Sequence, residues 1–146
     1  MLNTVTRQVT FYSFEKKIHT ERQKGELSVD TICDIWMQLQ KESYGPAVNL
    51  EDGYRSFWAY IPHFIHSPFY VYAYAFGNCL ANVLYTSFRR EPEGFHDKYI
   101  GLLKAAGTKP HKELLAPFNL DPSQVKFWSM GLKVINDMIT ELENMD

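Results

Sequence analysis

Between Arg55 and Arg89 the chain has no Asp, Glu, Lys or Arg. That absence marks a segment that prefers to leave water. Cysteine is also scarce. Cys33 and Cys79 are the only two, which is too few for a disulfide framework and fits a reducing, cytoplasmic setting. The N-terminus, MLNTVTRQVT, lacks the apolar core of a signal peptide. No Gly-rich phosphate loop, Gly-x-Ser-x-Gly elbow or His-Glu-x-x-His motif occurs. These gaps remove the usual sequence signs of nucleotide, serine-hydrolase and zinc-hydrolase chemistry. A formal net charge of -2 offers no basic face, so nucleic acid is excluded as an expected partner. Nor do repeats or low-complexity tracts appear.

Aromatic residues are plentiful, at 15% of the 146 residues. The uncharged segment reads FWAYIPHFIHSPFYVYAYAFGNCLANVLY. It is long enough to span a membrane. Pro62, Pro68, two His, two Asn and repeated Tyr argue against that, and Lys and Arg do not gather on one flank. A buried core helix is the expectation. Buried imidazoles and phenols need partners, so the segment is either a satisfied internal network or the wall of a site.

Apolar spacing predicts an all-α fold in one domain over residues 1–146. A first helix is expected over residues 2–24, with Leu2, Val5, Val9, Tyr12, Phe14 and Ile18 in step and Gly25 as its stop. Ser28 caps a second helix that ends at Tyr44-Gly45-Pro46. Residues 46–67 are mixed. Ser67-Pro68 is the cap-then-proline signature of a helix start, predicting a helix from Pro68 to about Phe88. A shorter helix runs from Phe95 to near Gly107, and Pro110 opens a turn. Asp121-Pro122 repeats the start signal for a last helix. Phe127, Trp128, Leu132, Ile135, Met138, Ile139 and Leu142 are expected on its buried side.

Candidate chemistry gathers around Pro68. Tyr70 and Tyr74 are four apart and share a helix face, and Gly77 continues the stripe. Glycine costs about 1 kcal/mol there relative to alanine, which suggests a close neighbour. His63 and His66 are expected in a loop stiffened by the two prolines. Imidazoles, phenols and a helix N-terminus would then meet, a suitable place for a carboxylate or an oxyanion. Each residue alone is more simply read as packing. His63 and His66 lack a third ligand nearby, so no metal site of the chain's own is expected.

The whole chain nevertheless resembles one family. FYSFEKKIH, GELS, YGPAVNLEDGYRSFWAYIPH, LLKAAGTKPHKELLAPFNLD and FWSMGLKVINDMITELE, together with the uncharged segment, are similar in order and spacing to oligoendopeptidase F and its M3 (thimet oligopeptidase) relatives. The likeness falls C-terminal to the zinc site. It implies a multi-helix lobe of a larger helical, cytoplasmic metallopeptidase with an oligopeptide substrate. In the full-length family zinc sits on a His-Glu-x-x-His helix and a later Glu, which here would lie upstream of Met1. None is expected to be bound by this chain, and alone it is expected to be inactive. The resemblance assigns Tyr70, His63 and Tyr74 to catalysis and His66 and Tyr72 to substrate binding. Tyr70 is favoured, though which Tyr meets the oxyanion stays open. A second outcome is a non-catalytic helical protein that binds peptides or self-associates through an exposed apolar face.

Overall fold

The computed structural model describes the backbone of residues 2–145 and the side chains of residues 3–145. Seven α-helices and four short 3₁₀ turns make up the secondary structure, with no strand among the described residues. The all-α expectation holds. The helices are α1 (Leu2–Arg22), α2 (Val29–Tyr44), α3 (His63–His66), α4 (Tyr72–Arg90), α5 (Phe95–Ala105), α6 (His111–Leu115) and α7 (Val125–Glu143). The chain divides between Phe76 and Gly77 into two compact units. Each has its own core.

In the first unit, α1 ends as its glycine predicts. Gly25 takes φ 153° and its N–H reaches the Arg22 carbonyl. Ser28 then caps α2, its hydroxyl accepting from the Thr31 N–H at 3.2 Å. Gly45, at φ 60°, closes α2 by donating to the Lys41 carbonyl, a left-handed turn that suits glycine. The core joins Phe11 and Phe14 of α1, Trp36 and Met37 of α2, Ile61 and Val71. Val9 and Tyr12, expected in step with the buried face, are exposed. Val5, Phe14 and half-buried Ile18 face inward as expected, and Thr10, Phe11 and Glu15 join them where Val9 and Tyr12 do not. Leu2's side chain lies outside the described residues.

Between α2 and α4 the expectation fails in three ways. Ser67 does not cap a helix start. It ends α3, its N–H bonded to the His63 carbonyl. His63 and His66 are therefore on a helical turn, not in a loop. Phe69 takes φ 61°, and this left-handed step delays α4 until Tyr72. The uncharged segment is also not a buried rod. Tyr60, Ile65, Phe69, Tyr70, Tyr72, Tyr74, Tyr85 and Phe88 are all exposed. A phenol at the surface meets its hydrogen-bonding need with water, so these tyrosines need no internal partners.

In the second unit, Val83, Leu84, Leu115, Phe118, Leu120 and Phe127 form the core. Asp121 does not cap α7. Its carboxylate accepts from the Ser123 N–H and hydroxyl, bonds that hold its carboxyl below the usual range, and α7 starts at Val125. The buried stripe of α7 is narrow: Phe127, Gly131 and Ile135. Leu132, Met138, Ile139 and Leu142 are exposed, so four expected core positions of α7 face outward. Cys79 is buried on α4, and burial pushes its thiol up.

The close helix approach expected at Gly77 occurs instead at Gly131. A Cβ at Gly77 would meet nothing within 4 Å, whereas one at Gly131 would sit 2.9 Å from the Cys79 carbonyl oxygen and 3.2 Å from a Val83 methyl. Asn82 Nδ2 also donates to the Gly131 carbonyl at 3.2 Å. A backbone oxygen cannot swing aside as a side chain can. Gly131→Ala gains about 1 kcal/mol of helix propensity but overpacks the crossing at a cost of about 1–3 kcal/mol. The expected result is a lower urea midpoint. Gly77→Ala, gaining propensity without the clash, raises it. A rise in both variants would place the close packing elsewhere.

Candidate functional site

Three of the five candidate side chains come together. His63 Nε2 lies 2.9 Å from the Tyr74 hydroxyl. The His63 and Tyr70 rings are stacked, with centroids 6.1 Å apart and planes 5° apart. Tyr74 stands edge-on to both, 5.5 Å from His63 and 5.6 Å from Tyr70. The trio has a simple local cause. α3 ends after one turn, the chain reverses through Pro68 and Phe69, and α4 returns beside it. Tyr70 lies in the reversal, with its N–H on the Ser67 carbonyl at 3.3 Å and its own carbonyl accepting from Ala73 at 3.0 Å. It is two residues before α4 rather than in its first helical turn.

His66 and Tyr72 are not part of the trio. His66 is exposed on α3. Tyr72 pairs edge-on with Tyr12 of α1 at 6.5 Å.

In chemical terms the trio is a pair of phenols on an imidazole. When the Tyr74 hydroxyl donates to His63 Nε2, the imidazole is neutral with its proton on Nδ1. When Nε2 carries the proton, it donates to the phenol oxygen. Tyr70 is half-exposed, and among the described residues nothing hydrogen-bonds its hydroxyl. It can therefore donate to a ligand without breaking an existing bond.

Sequence reasoning missed Glu15. Its side chain is 2% exposed, and Oε1 accepts the Phe69 N–H at 2.6 Å. The signal was present: a carboxylate stands within the apolar run Phe11, Phe14 and Ile18. Among the described residues, no group of three or more His, Cys, Asp or Glu could hold a metal ion. Among the same residues, no helix is long and apolar enough to cross a membrane.

Comparison with known proteins defines the class. The model of Peptidase family M3 matches residues 2–134, and the chain belongs to that family. It is similar to Oligopeptidase PepF of Bacillus subtilis, 29% identical over 97% of this chain and 21% of the relative. It is also similar to an Oligoendopeptidase F homolog of Borreliella burgdorferi, 36% identical over 75% of this chain and 18% of the relative. Group B oligopeptidase PepB of Streptococcus agalactiae is 28% identical over 97% of this chain and 24% of the relative. The chain thus spans about a fifth of the length of the curated relatives it matches. No solved structure matches it significantly.

Proposed function

We propose that this chain is the substrate-binding and oxyanion-stabilising part of an oligopeptide-cleaving M3 metalloendopeptidase. The observation that carries the reading is the contact among His63, Tyr70 and Tyr74 in a chain of that family. Tyr70 donates its hydroxyl proton to the oxygen of the scissile carbonyl as negative charge develops there. His63 and Tyr74 fix the ring that makes this donation and lie within reach of the same peptide. His66 and Tyr72, on either side of the turn, hydrogen-bond the substrate backbone. Zinc belongs to the full-length family, and this chain is proposed to bind none and to be inactive alone. Two free, buried thiols support a cytoplasmic location.

Exposed Tyr60, Ile65 and Tyr72 favour a second reading, a peptide-binding or self-associating protein without catalysis. One experiment separates them. Residues 1–146 replace the matching segment of the Bacillus subtilis relative, and cleavage of a quenched fluorescent oligopeptide is followed with and without chelator. Expected is chelator-sensitive cleavage by the chimera and none by the isolated chain. A chimera that folds and retains zinc yet does not cleave supports the second reading. Chelator-sensitive cleavage by the isolated chain overturns the claim of inactivity.

A further inference from the structure

We infer that Glu15 is a positioning residue, which fixes the Phe69–Tyr70 turn and so sets the place of the Tyr70 ring against His63. The inference rests on the reading of Tyr70 as the oxyanion donor. It begins from a backbone oddity. Phe69 has φ 61°, a left-handed state that a bulky residue rarely adopts. Such states persist only where the surroundings over-determine them, and they gather at functional sites.

Here α1 supplies two constraints, one helical turn apart. Glu15 Oε1 holds the Phe69 N–H at 2.6 Å. The His19 ring lies against the Phe69 ring, with centroids 4.6 Å apart. Residues at i and i+4 share a helix face, so a single face of α1 grips both the backbone and the side chain of Phe69. The next residue is Tyr70. Its stacking on His63 follows from where this grip leaves the chain.

The burial of Glu15 argues for a specific task. Its neighbours on the stripe, Phe11 and Phe14, are buried apolar residues. An apolar side chain would fill the same place without the cost of desolvating a carboxylate. Moreover, Oε2 has no hydrogen-bond partner among the described residues, so the carboxylate is not held there by a network. Among the described residues the Glu15 side chain bonds only the Phe69 amide. The bond also takes up an amide just ahead of α4, at the helix end that suits a carboxylate or an oxyanion.

The test uses the 146-residue chain and two variants in solution NMR. Glu15→Met keeps the length of the side chain and removes the acceptor. Glu15→Gln keeps an acceptor without the charge. Three signals are read: exchange of the Phe69 amide, the ring-to-ring contact of His63 with Tyr70, and the Trp36 indole N–H as a reporter of the core. In Glu15→Met the Phe69 amide should exchange at least about tenfold faster, as expected on losing a hydrogen bond to a charged acceptor. The His63–Tyr70 contact should vanish while the Trp36 signal stays. Glu15→Gln should keep the ring contact and show a smaller acceleration. Persistence of the ring contact in folded Glu15→Met overturns the inference. Should that variant lose the Trp36 signal, the Gln variant decides, and wild-type Phe69 exchange there overturns it. In the chimeric peptidase, Glu15→Met should lower kcat with KM little moved. A lost ring contact with unchanged kcat keeps the positioning role and sinks the oxyanion assignment instead.

Discussion

Replacing Tyr70 by Phe should lower kcat about 10²–10³-fold in a peptidase containing residues 1–146, with KM nearly unchanged. The substitution removes one oxygen and keeps the ring, so the stack on His63 survives and packing is not the cause. A tyrosine hydroxyl carries a proton that it can donate to an anion. Its contribution grows as the carbonyl oxygen gains charge, so the loss appears in kcat rather than in binding. Tyr74→Phe is the instructive contrast. Its hydroxyl is already engaged with His63, so its removal acts through the imidazole and is expected to cost less. Steady-state kinetics on both variants checks this. Equal losses would mean that the two phenols act as a unit. A Tyr70→Phe enzyme with unaltered kcat would move the donor role to Tyr74 or remove it.

The clustering of Tyr70, Tyr74 and His63 was half legible in the sequence, because a four-residue spacing and a proline-bounded turn are local signals. Its reasons were not found. Ser67-Pro68 has the chemistry of a helix start, yet Ser67 ends α3, because a grip from α1 places Phe69 in the left-handed region. That grip joins residues 54 positions apart, and no local pattern carries it. Burial was misjudged for a related reason. Absence of charge was taken as preference for the interior, but tyrosine tolerates both environments. Gly77 and Gly131 show the same limit. Both are helical glycines, and only the position of a neighbouring backbone separates the tight one from the free one. By contrast, the caps at Gly25, Ser28 and Gly45 depend on adjacent residues alone, and they were read correctly.

Trp36→Ala is expected to be the most damaging single change to the first unit, costing about 3–5 kcal/mol. Trp36 is fully buried. Its indole N–H donates to the Tyr54 carbonyl at 3.0 Å, and its ring meets Phe11, Phe14, Tyr54 and Phe64. Alanine would leave a large void and a carbonyl without its donor, and both effects act in the same direction. Domains are stable by only about 5–15 kcal/mol, so the loss is a large share of the total. Urea unfolding followed by far-UV circular dichroism checks it through the midpoint. The consequence reaches the site by a short route. Phe64 lies in α3 between His63 and His66 and packs on Trp36, so removing the indole unseats the turn that carries His63. Below the unfolding transition, the His63–Tyr70 ring contact should therefore weaken in Trp36→Ala, even though neither residue touches the substituted position. An intact contact in a variant destabilised by that amount would show that α1, through Glu15 and His19, suffices to hold the turn.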